Sequence, residues 1–243
     1  MRRILLPPLW CRDLNRWQLI SLFLLAWGGQ FVSSQLLMGA FLAAAGEDNH
    51  IFLTWCAVLL SEILGIVILL AGWKNFFGRN RMDMRPMRSK EWKLALLGVG
   101  IAVLGSGALS AEWEFVLEFF DIPYSEEQEV VDMFRNSGVY GKILIGFTAV
   151  AVVPFFEELL FRRTLFAFFA RWGNLTAMIL TSVIFGAVHF FLLGLPALCW
   201  IGFVFQALYL RSRNVFVSTA AHAMLNFCAL FVALLQTIFP NFT

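Results

Sequence analysis

Charged residues are scarce in this 243-residue chain: they make up 14% of it, whereas hydrophobic residues make up 60%. An average soluble domain is about a quarter charged, so the composition excludes an ordinary water-soluble globular protein. The basic residues form no stripe on a soluble module, which excludes a nucleic-acid-binding protein. No two cysteines form a CxxC pair, so we expect neither a disulfide framework nor a cysteine-held metal site. The four cysteines are Cys11, Cys56, Cys199 and Cys228.

Long apolar runs dominate the chain instead. A helix needs roughly 20 mostly apolar residues to cross a bilayer. We therefore predict an all-α, polytopic transmembrane helix bundle of about seven spans, forming a single integral membrane domain over residues 1–243. The first run, although it ends in three alanines, is too long for a signal peptide, whose apolar region is about 7–15 residues, and we expect it to be an uncleaved span. The predicted spans are 19–45, 51–73, 93–111, 143–170, 174–193, 195–210, which is short, and 215–238.

The segment 113–135 mixes acidic and apolar residues. We interpret it as an interfacial amphipathic helix or helices. Two alternatives stay open, namely an extension of the third span and a contribution to an eighth span.

The basic residues are concentrated on one side of this map. With seven spans, four basic segments lie on the same side of the membrane. They are the N-terminus, the loop after the second span, and the turns after the fourth and sixth spans. Because cytoplasmic loops are enriched in Lys and Arg, we predict a cytoplasmic N-terminus and a C-terminus on the opposite side, in the inner membrane if the source is bacterial. The basic residues of these segments are Arg2, Arg3, Arg12, Arg16, Lys74, Arg79, Arg81, Arg85, Arg88, Lys90, Lys93, Arg171, Arg211 and Arg213.

The fourth span contains two adjacent glutamates, Glu157 and Glu158, followed by Arg162. A charge near the bilayer centre costs at least about 2.5–3.5 kcal/mol, so each needs a partner or a function. Glu158 and Arg162 are four residues apart and can pair on one helix face. Glu157 points about 100° away and is free to act as a base. A purely structural ion-pair network is the alternative. Glu62, in the second span, has no motif around it and is expected to be a structural hydrogen-bond partner.

Two of the three histidines lie in predicted spans, His189 in the fifth and His222 in the seventh. Asn226 follows His222 by four residues and shares its helix face. Counted from the basic side, Glu157, His189 and Asn226 lie roughly 20–22 Å deep and His222 roughly 14 Å, at 1.5 Å per residue. They meet in one site only if Arg162 is buried rather than at the membrane edge.

These motifs, in this order and on separate spans, resemble the CAAX protease and bacteriocin-processing family, also called the ABI family, which includes the type II CAAX prenyl endopeptidases. The family pattern is EExxxR, FxxxH and HxxxN, supplied here by Glu157, Glu158 and Arg162, by Phe185 and His189, and by His222 and Asn226. The resemblance covers residues 140–230, and 1–139 are family-variable N-terminal spans. One departure is Arg163, where relatives often carry a small residue.

The resemblance implies an intramembrane, glutamate-dependent endopeptidase that acts on a membrane-anchored protein or peptide, with prenylated CAAX substrates one possibility. Glu157 and His189 would activate a water, and His222 and Asn226 would donate hydrogen bonds to the oxyanion. Glu158, Arg162 and Phe185 would support the site. No cofactor is implied, and the charge map suggests access from the cytoplasmic side.

Three alternatives remain open. A zinc protease would use Glu157, His189 and His222 as ligands, although the chain has no HExxH motif and we favour metal-free water activation. A non-catalytic scaffold or a bacteriocin self-immunity protein would keep the fold without the reaction. A proton-coupled transporter would use the same intramembrane residues as a relay, but no inverted repeat is evident.

Overall fold

The computed structural model describes residues 14–45, 50–78 and 83–239. Within these ranges all the regular structure is helical, which confirms the predicted all-α class. The helices are α1 (Arg16–Ala45), α2 (His50–Phe77), α3 (Ser89–Phe119), α4 (Glu129–Asn136), α5 (Val139–Trp172), α6 (Asn174–Ala187), α7 (Leu195–Ser212) and α8 (Val215–Ile238). The predictions that concern Arg2, Arg3, Cys11, Arg12, Arg79 and Arg81 lie outside the described residues.

Six of these helices, α1, α2, α3, α5, α7 and α8, are long and apolar enough to cross a membrane. The chain is therefore a multi-pass integral membrane protein. Helix α6 has 14 residues and, at 1.5 Å per residue, is only about 21 Å long. The predicted fifth span, 174–193, was wrong at its C-terminal end, residues 188–193, because the helix ends at Ala187 and Phe190 has a φ of +50°, which a right-handed helix does not allow.

The acidic segment around 113–135 divides into two parts. Helix α3 continues to Phe119, so the predicted extension of the third span is confirmed for its first part. Helix α4 has eight residues, too few to cross a bilayer, and buries Phe134 against α2, α5 and α8. Among the described residues this segment forms no eighth span.

Helix α5 departs from regular α-helical geometry where the functional residues lie. It is π-helical over Thr148–Val152 and again over Glu158–Leu165. A π-helix bonds each carbonyl to the N–H five residues later, and short π segments are frequent at functional sites. The backbone N–H of Phe166, for example, donates to the carbonyl of Phe161, five residues back.

The two ends of the bundle have separate hydrophobic cores. The larger core joins the start of α1, the end of α2, the second half of α5 and the end of α7, with Leu22, Trp73, Leu165 and Tyr209 among its members. This end also carries Lys74, Arg85, Arg88, Lys90, Arg171, Arg211 and Arg213, and we call it the basic end. The smaller core lies at the opposite end, where Trp55 meets Phe134, Ile145 and Leu230.

Candidate active site

Four polar side chains of the bundle line one cavity of about 560 Å³. They are Glu157 from α5, His189 from the turn after α6, and His222 and Asn226 from α8. They belong to three separate segments of the chain, so only the packing of α5, α6 and α8 brings them together. The rest of the lining is mixed, with apolar residues such as Ala149, Val153 and Leu198 beside polar ones.

Glu158 and Arg162 form a fully buried ion pair next to this cavity. Arg162 Nε donates to Glu158 Oε2 at 3.0 Å, and both side chains are 0% exposed. Arg162 is thus inside the protein, as the depth argument requires. Its guanidinium carbon lies 4.7 Å from the ring centre of Phe185 and 5.8 Å from that of Phe205. Aromatic faces attract a cation, so the rings stabilise the part of the guanidinium that does not face Glu158.

His222 lies between the two glutamates. Its Nδ1 is 3.3 Å from Glu158 Oε1 and its Nε2 is 3.7 Å from Glu157 Oε2. A carboxylate only accepts hydrogen bonds, so Nδ1 is the donor to Glu158. The sequence predicted His222 beside Asn226, on one helix face. It did not indicate this second contact with Glu157, which depends on how α8 is rotated toward α5.

His189 is oriented by its own backbone. Its Nδ1 lies 2.7 Å from the carbonyl oxygen of Phe185. A carbonyl can only accept, so Nδ1 carries the proton and the Nε2 of the neutral ring keeps a lone pair. The turn that carries His189 is held in place from outside, since Trp113 on α3 donates to the carbonyl of Leu192 at 2.9 Å. His189 can therefore act as a base through Nε2.

Asn226 donates through Nδ2 to the carbonyl of Ala149, at 2.7 Å. Ala149 lies in the first π segment of α5, where its natural donor would be the N–H of residue 154. That residue is Pro154, which has no N–H. Asn226 therefore replaces a missing backbone donor and is fixed by it. An amide nitrogen has two N–H groups, so one remains for another acceptor.

Glu157 and His189 make no direct hydrogen bond with each other among the described residues. Both side chains line the same cavity. No group of three histidine, cysteine or acidic side chains in the described ranges converges closely enough to hold a metal ion.

Comparison with known proteins finds relatives for the part of the chain that carries these residues. Residues 140–228 match the model of a family described as type II CAAX prenyl endopeptidase Rce1-like. The chain is also 37% identical over 86 residues to a protein of Bacillus subtilis (strain 168) named "Putative membrane peptidase YdiL". This part of the chain is therefore similar to CAAX proteases. The aligned region is 35% of this chain and 34% of that relative, so the chain spans about a third of the curated relative it matches. No solved structure matches the chain.

Aromatic residues of the matched segment 140–228 connect the candidate site residues. Phe185 is 1% exposed, and its ring lies 4.8 Å from that of His189 and 5.9 Å from that of His222, centre to centre. It has room because Gly202 on α7 faces it, where a Cβ would come within 3.1 Å of the ring. Phe205, also on α7, lies 5.1 Å from the ring of His222. Sequence reasoning missed Phe205, because no family motif contains it and its helix carries no intramembrane charge.

Arg163, which departs from the CAAX-protease pattern, is not on the rim of the site. It is 1% exposed and donates to Tyr209 Oη at 2.9 Å and to Asp83 Oδ2 at 3.2 Å. Tyr209 also donates to Asp83 Oδ2, at 2.8 Å. The three residues therefore join α5 and α7 to the loop after α2, at the basic end of the bundle. Glu62, as predicted, is a hydrogen-bond partner, accepting from Gln30 at 3.1 Å.

Proposed function

We propose that this chain is an intramembrane endopeptidase that hydrolyses a peptide bond of a membrane-anchored protein or peptide with a water activated by Glu157 and His189. The observation that carries the proposal is the single cavity lined by Glu157, His189, His222 and Asn226 inside an apolar bundle. The match of residues 140–228 to the model of the type II CAAX prenyl endopeptidase Rce1-like family supports the same chemistry. Prenylated CAAX-type peptides are one substrate class to be tested.

The attack on the substrate begins with a water between Glu157 and His189. One of these two groups takes a proton from the water while the oxygen of the water forms a bond to the carbonyl carbon of the substrate. Positioned general bases of this kind contribute about 100- to 10,000-fold in rate. The C–N bond then breaks, and the proton returns to the leaving nitrogen, so the base is regenerated. The products are a carboxylic acid and an amine.

His222 and Asn226 would stabilise the oxyanion, which forms on the carbonyl oxygen of the substrate after the water attacks and before the C–N bond breaks. Asn226 has one N–H left after bonding Ala149. His222 would donate through Nε2, which requires a protonated ring, because Nδ1 already donates to Glu158.

The proposal is tested by cleavage in liposomes. The purified full-length chain is reconstituted with fluorescent peptides that carry a lipid anchor, in prenylated and unprenylated forms, and with single-pass membrane proteins. We expect Glu157→Gln and His189→Ala to abolish cleavage. Glu112→Gln, on an exposed residue of α3, is the matched control and should cleave as the unmodified chain does. Cleavage that both site variants leave undiminished would disprove the proposed mechanism.

A non-catalytic scaffold or self-immunity role predicts a different result in cells. If alanine at all four cavity positions leaves the biological phenotype intact, binding rather than hydrolysis is the function. A proton-coupled transporter would instead show ion-dependent flux in the same liposomes, lost in Glu157→Gln.

A further inference from the structure

The cavity occupies one half of the bundle and not the other. In α1 it is lined by Ser34 and Gln35, in the half of the helix remote from the basic residues, and in α2 by His50 and Thr54, at the start of the helix. In α5 the lining residues are Ala149, Val153 and Glu157, which follow one another by four residues. Glu157 is the one nearest the basic end, so the catalytic groups form the deep end of the cavity.

Below Glu157 the bundle is closed toward the basic end. Phe161 and Leu165 are 1% and 2% exposed, and Trp73 from α2 is 1% exposed. Beyond them lies the cluster of Arg163, Tyr209 and Asp83. A packed core of this kind has no passage for a polypeptide.

A salt bridge and hydrogen bonds also hold the loops at the basic end in place. Arg85, in the loop after α2, makes a salt bridge to Glu91 and donates to the carbonyl of Ser212 at 3.2 Å. Asn214 donates to the carbonyl of Arg85 at 3.0 Å. This loop therefore covers the end of α7 and the start of α8, and adds to the packed core that closes the basic end.

The opposite end has a polar mouth. His50 and Glu129 are exposed and line the cavity together with Gln128. Helix α4 is held beside this mouth by a hydrogen bond from Trp55 Nε1 to Met133 Sδ, at 3.3 Å. The hydroxyl of Thr54, inside the mouth, is buried and has no hydrogen-bond partner among the described residues. Side chains of this kind suit a polypeptide backbone, which needs partners for its own N–H and C=O groups.

We propose that the cavity opens on the non-cytoplasmic side of the membrane, so that the substrate is a membrane-anchored chain whose scissile segment lies on that side. The basic end faces the cytoplasm by the charge rule for cytoplasmic loops, and the mouth is at the other end. This reverses the access that the charge map alone suggested, because the map gave the sides of the loops but not the position of the cavity. The part that concerns a substrate rests on the proposed endopeptidase function.

The opening is tested by cysteine labelling, which needs no activity. Gln35→Cys, on an exposed residue that lines the cavity, is placed in the full-length chain after Cys11, Cys56, Cys199 and Cys228 are replaced by alanine. Intact cells that carry the protein in their plasma membrane are treated with a charged, membrane-impermeant methanethiosulfonate. Glu129→Cys marks the mouth, and Lys74→Cys, exposed at the end of α2, marks the basic end. His50→Cys, also exposed and lining the cavity, replaces Gln35→Cys if the latter does not fold.

We expect Gln35→Cys and Glu129→Cys to be labelled in intact cells, and Lys74→Cys to stay unlabelled until the cells are permeabilised. Labelling of Gln35→Cys only after permeabilisation would overturn the proposal, and so would a Gln35→Cys that reacts only once the protein is denatured.

A second arm concerns the substrate. Single-pass reporter proteins carry one cleavable segment on either side of the membrane, and only the reporter with the segment outside should be cut. Cleavage of the cytoplasmic reporter alone would also overturn the proposal. Outward labelling with no cleavage of either reporter would refute the endopeptidase function while it leaves the direction of opening established.

Discussion

Glu158 Oε1 lies 3.3 Å from His222 Nδ1, deep in the bundle, where Glu158 is 0% and His222 5% exposed. The other oxygen of Glu158 accepts from Arg162. One carboxylate therefore holds both the imidazole of α8 and the guanidinium of its own helix. This contact links the structural ion pair to the cavity, so its loss is expected to affect stability and catalysis together.

Glu158→Gln should destabilise the protein strongly. The variant leaves the guanidinium of Arg162 in a fully buried place without its carboxylate, and breaking such a pair by removing one partner costs about 3–5 kcal/mol. Thermal unfolding in detergent measures the effect. Adding Arg162→Gln should recover part of the lost stability but not the activity. An unchanged unfolding temperature in the single variant would show that the pair does not stabilise the fold.

The pairing of Glu158 with Arg162 was predictable from sequence, because four-residue spacing on a helix fixes which side chains can meet. The burial of Arg162 was predictable too, from the depth that a shared site requires. The position of His222 between two glutamates was not, since it depends on the rotation of α8 against α5. His189 was placed in a helix but lies in a turn, because the backbone at Phe190 is left-handed.

Other contacts join residues that are far apart in the sequence. Arg163 meets Asp83, 80 residues away, and no local pattern indicates that partner. The π-helical bond pattern of α5 depends on packing as well. Its one local signal is Pro154, which removes a donor from the helix.

Asn226→Ala and Asn226→Asp should both slow hydrolysis. The alanine variant removes the amide N–H groups, and the aspartate variant replaces them with a carboxylate that repels an oxyanion. Removing one oxyanion donor typically costs about 100- to 1,000-fold in kcat, which a peptide-cleavage assay measures. Asn136→Ala, on an exposed residue of α4, is the control. A wild-type kcat in Asn226→Asp would remove Asn226 from the oxyanion site.

Pro154→Ala tests why Asn226 points where it does. The new N–H at position 154 can bond the carbonyl of Ala149 and so compete with Asn226. We expect a lower kcat with an unfolding temperature that is unchanged or higher, because the helix gains a backbone hydrogen bond. The loss should be smaller than the roughly 100-fold minimum expected for Asn226→Ala. A drop in stability without any change in kcat would contradict this explanation.

Gly65→Ala should reduce both stability and activity, because α2 and α5 approach each other closely at this point. A Cβ at Gly65 would lie 2.5 Å from Cε2 of Phe156, whose ring is 2% exposed. Phe156 precedes Glu157, so a shift of the ring moves the backbone that carries the proposed base. Overpacking of this kind typically costs about 1–3 kcal/mol.

Gly100→Ala is the matched control for that variant, since a Cβ at Gly100 has nothing within 4 Å, and it should leave the unfolding temperature and kcat as they are. Adding Phe156→Leu to Gly65→Ala makes room for the new methyl group and should restore part of the stability. If Gly65→Ala and Gly100→Ala unfold at the same temperature, the close approach of α2 does not fix the position of Glu157, and the deep end of the cavity must be held by α8 and the Glu158 contact alone.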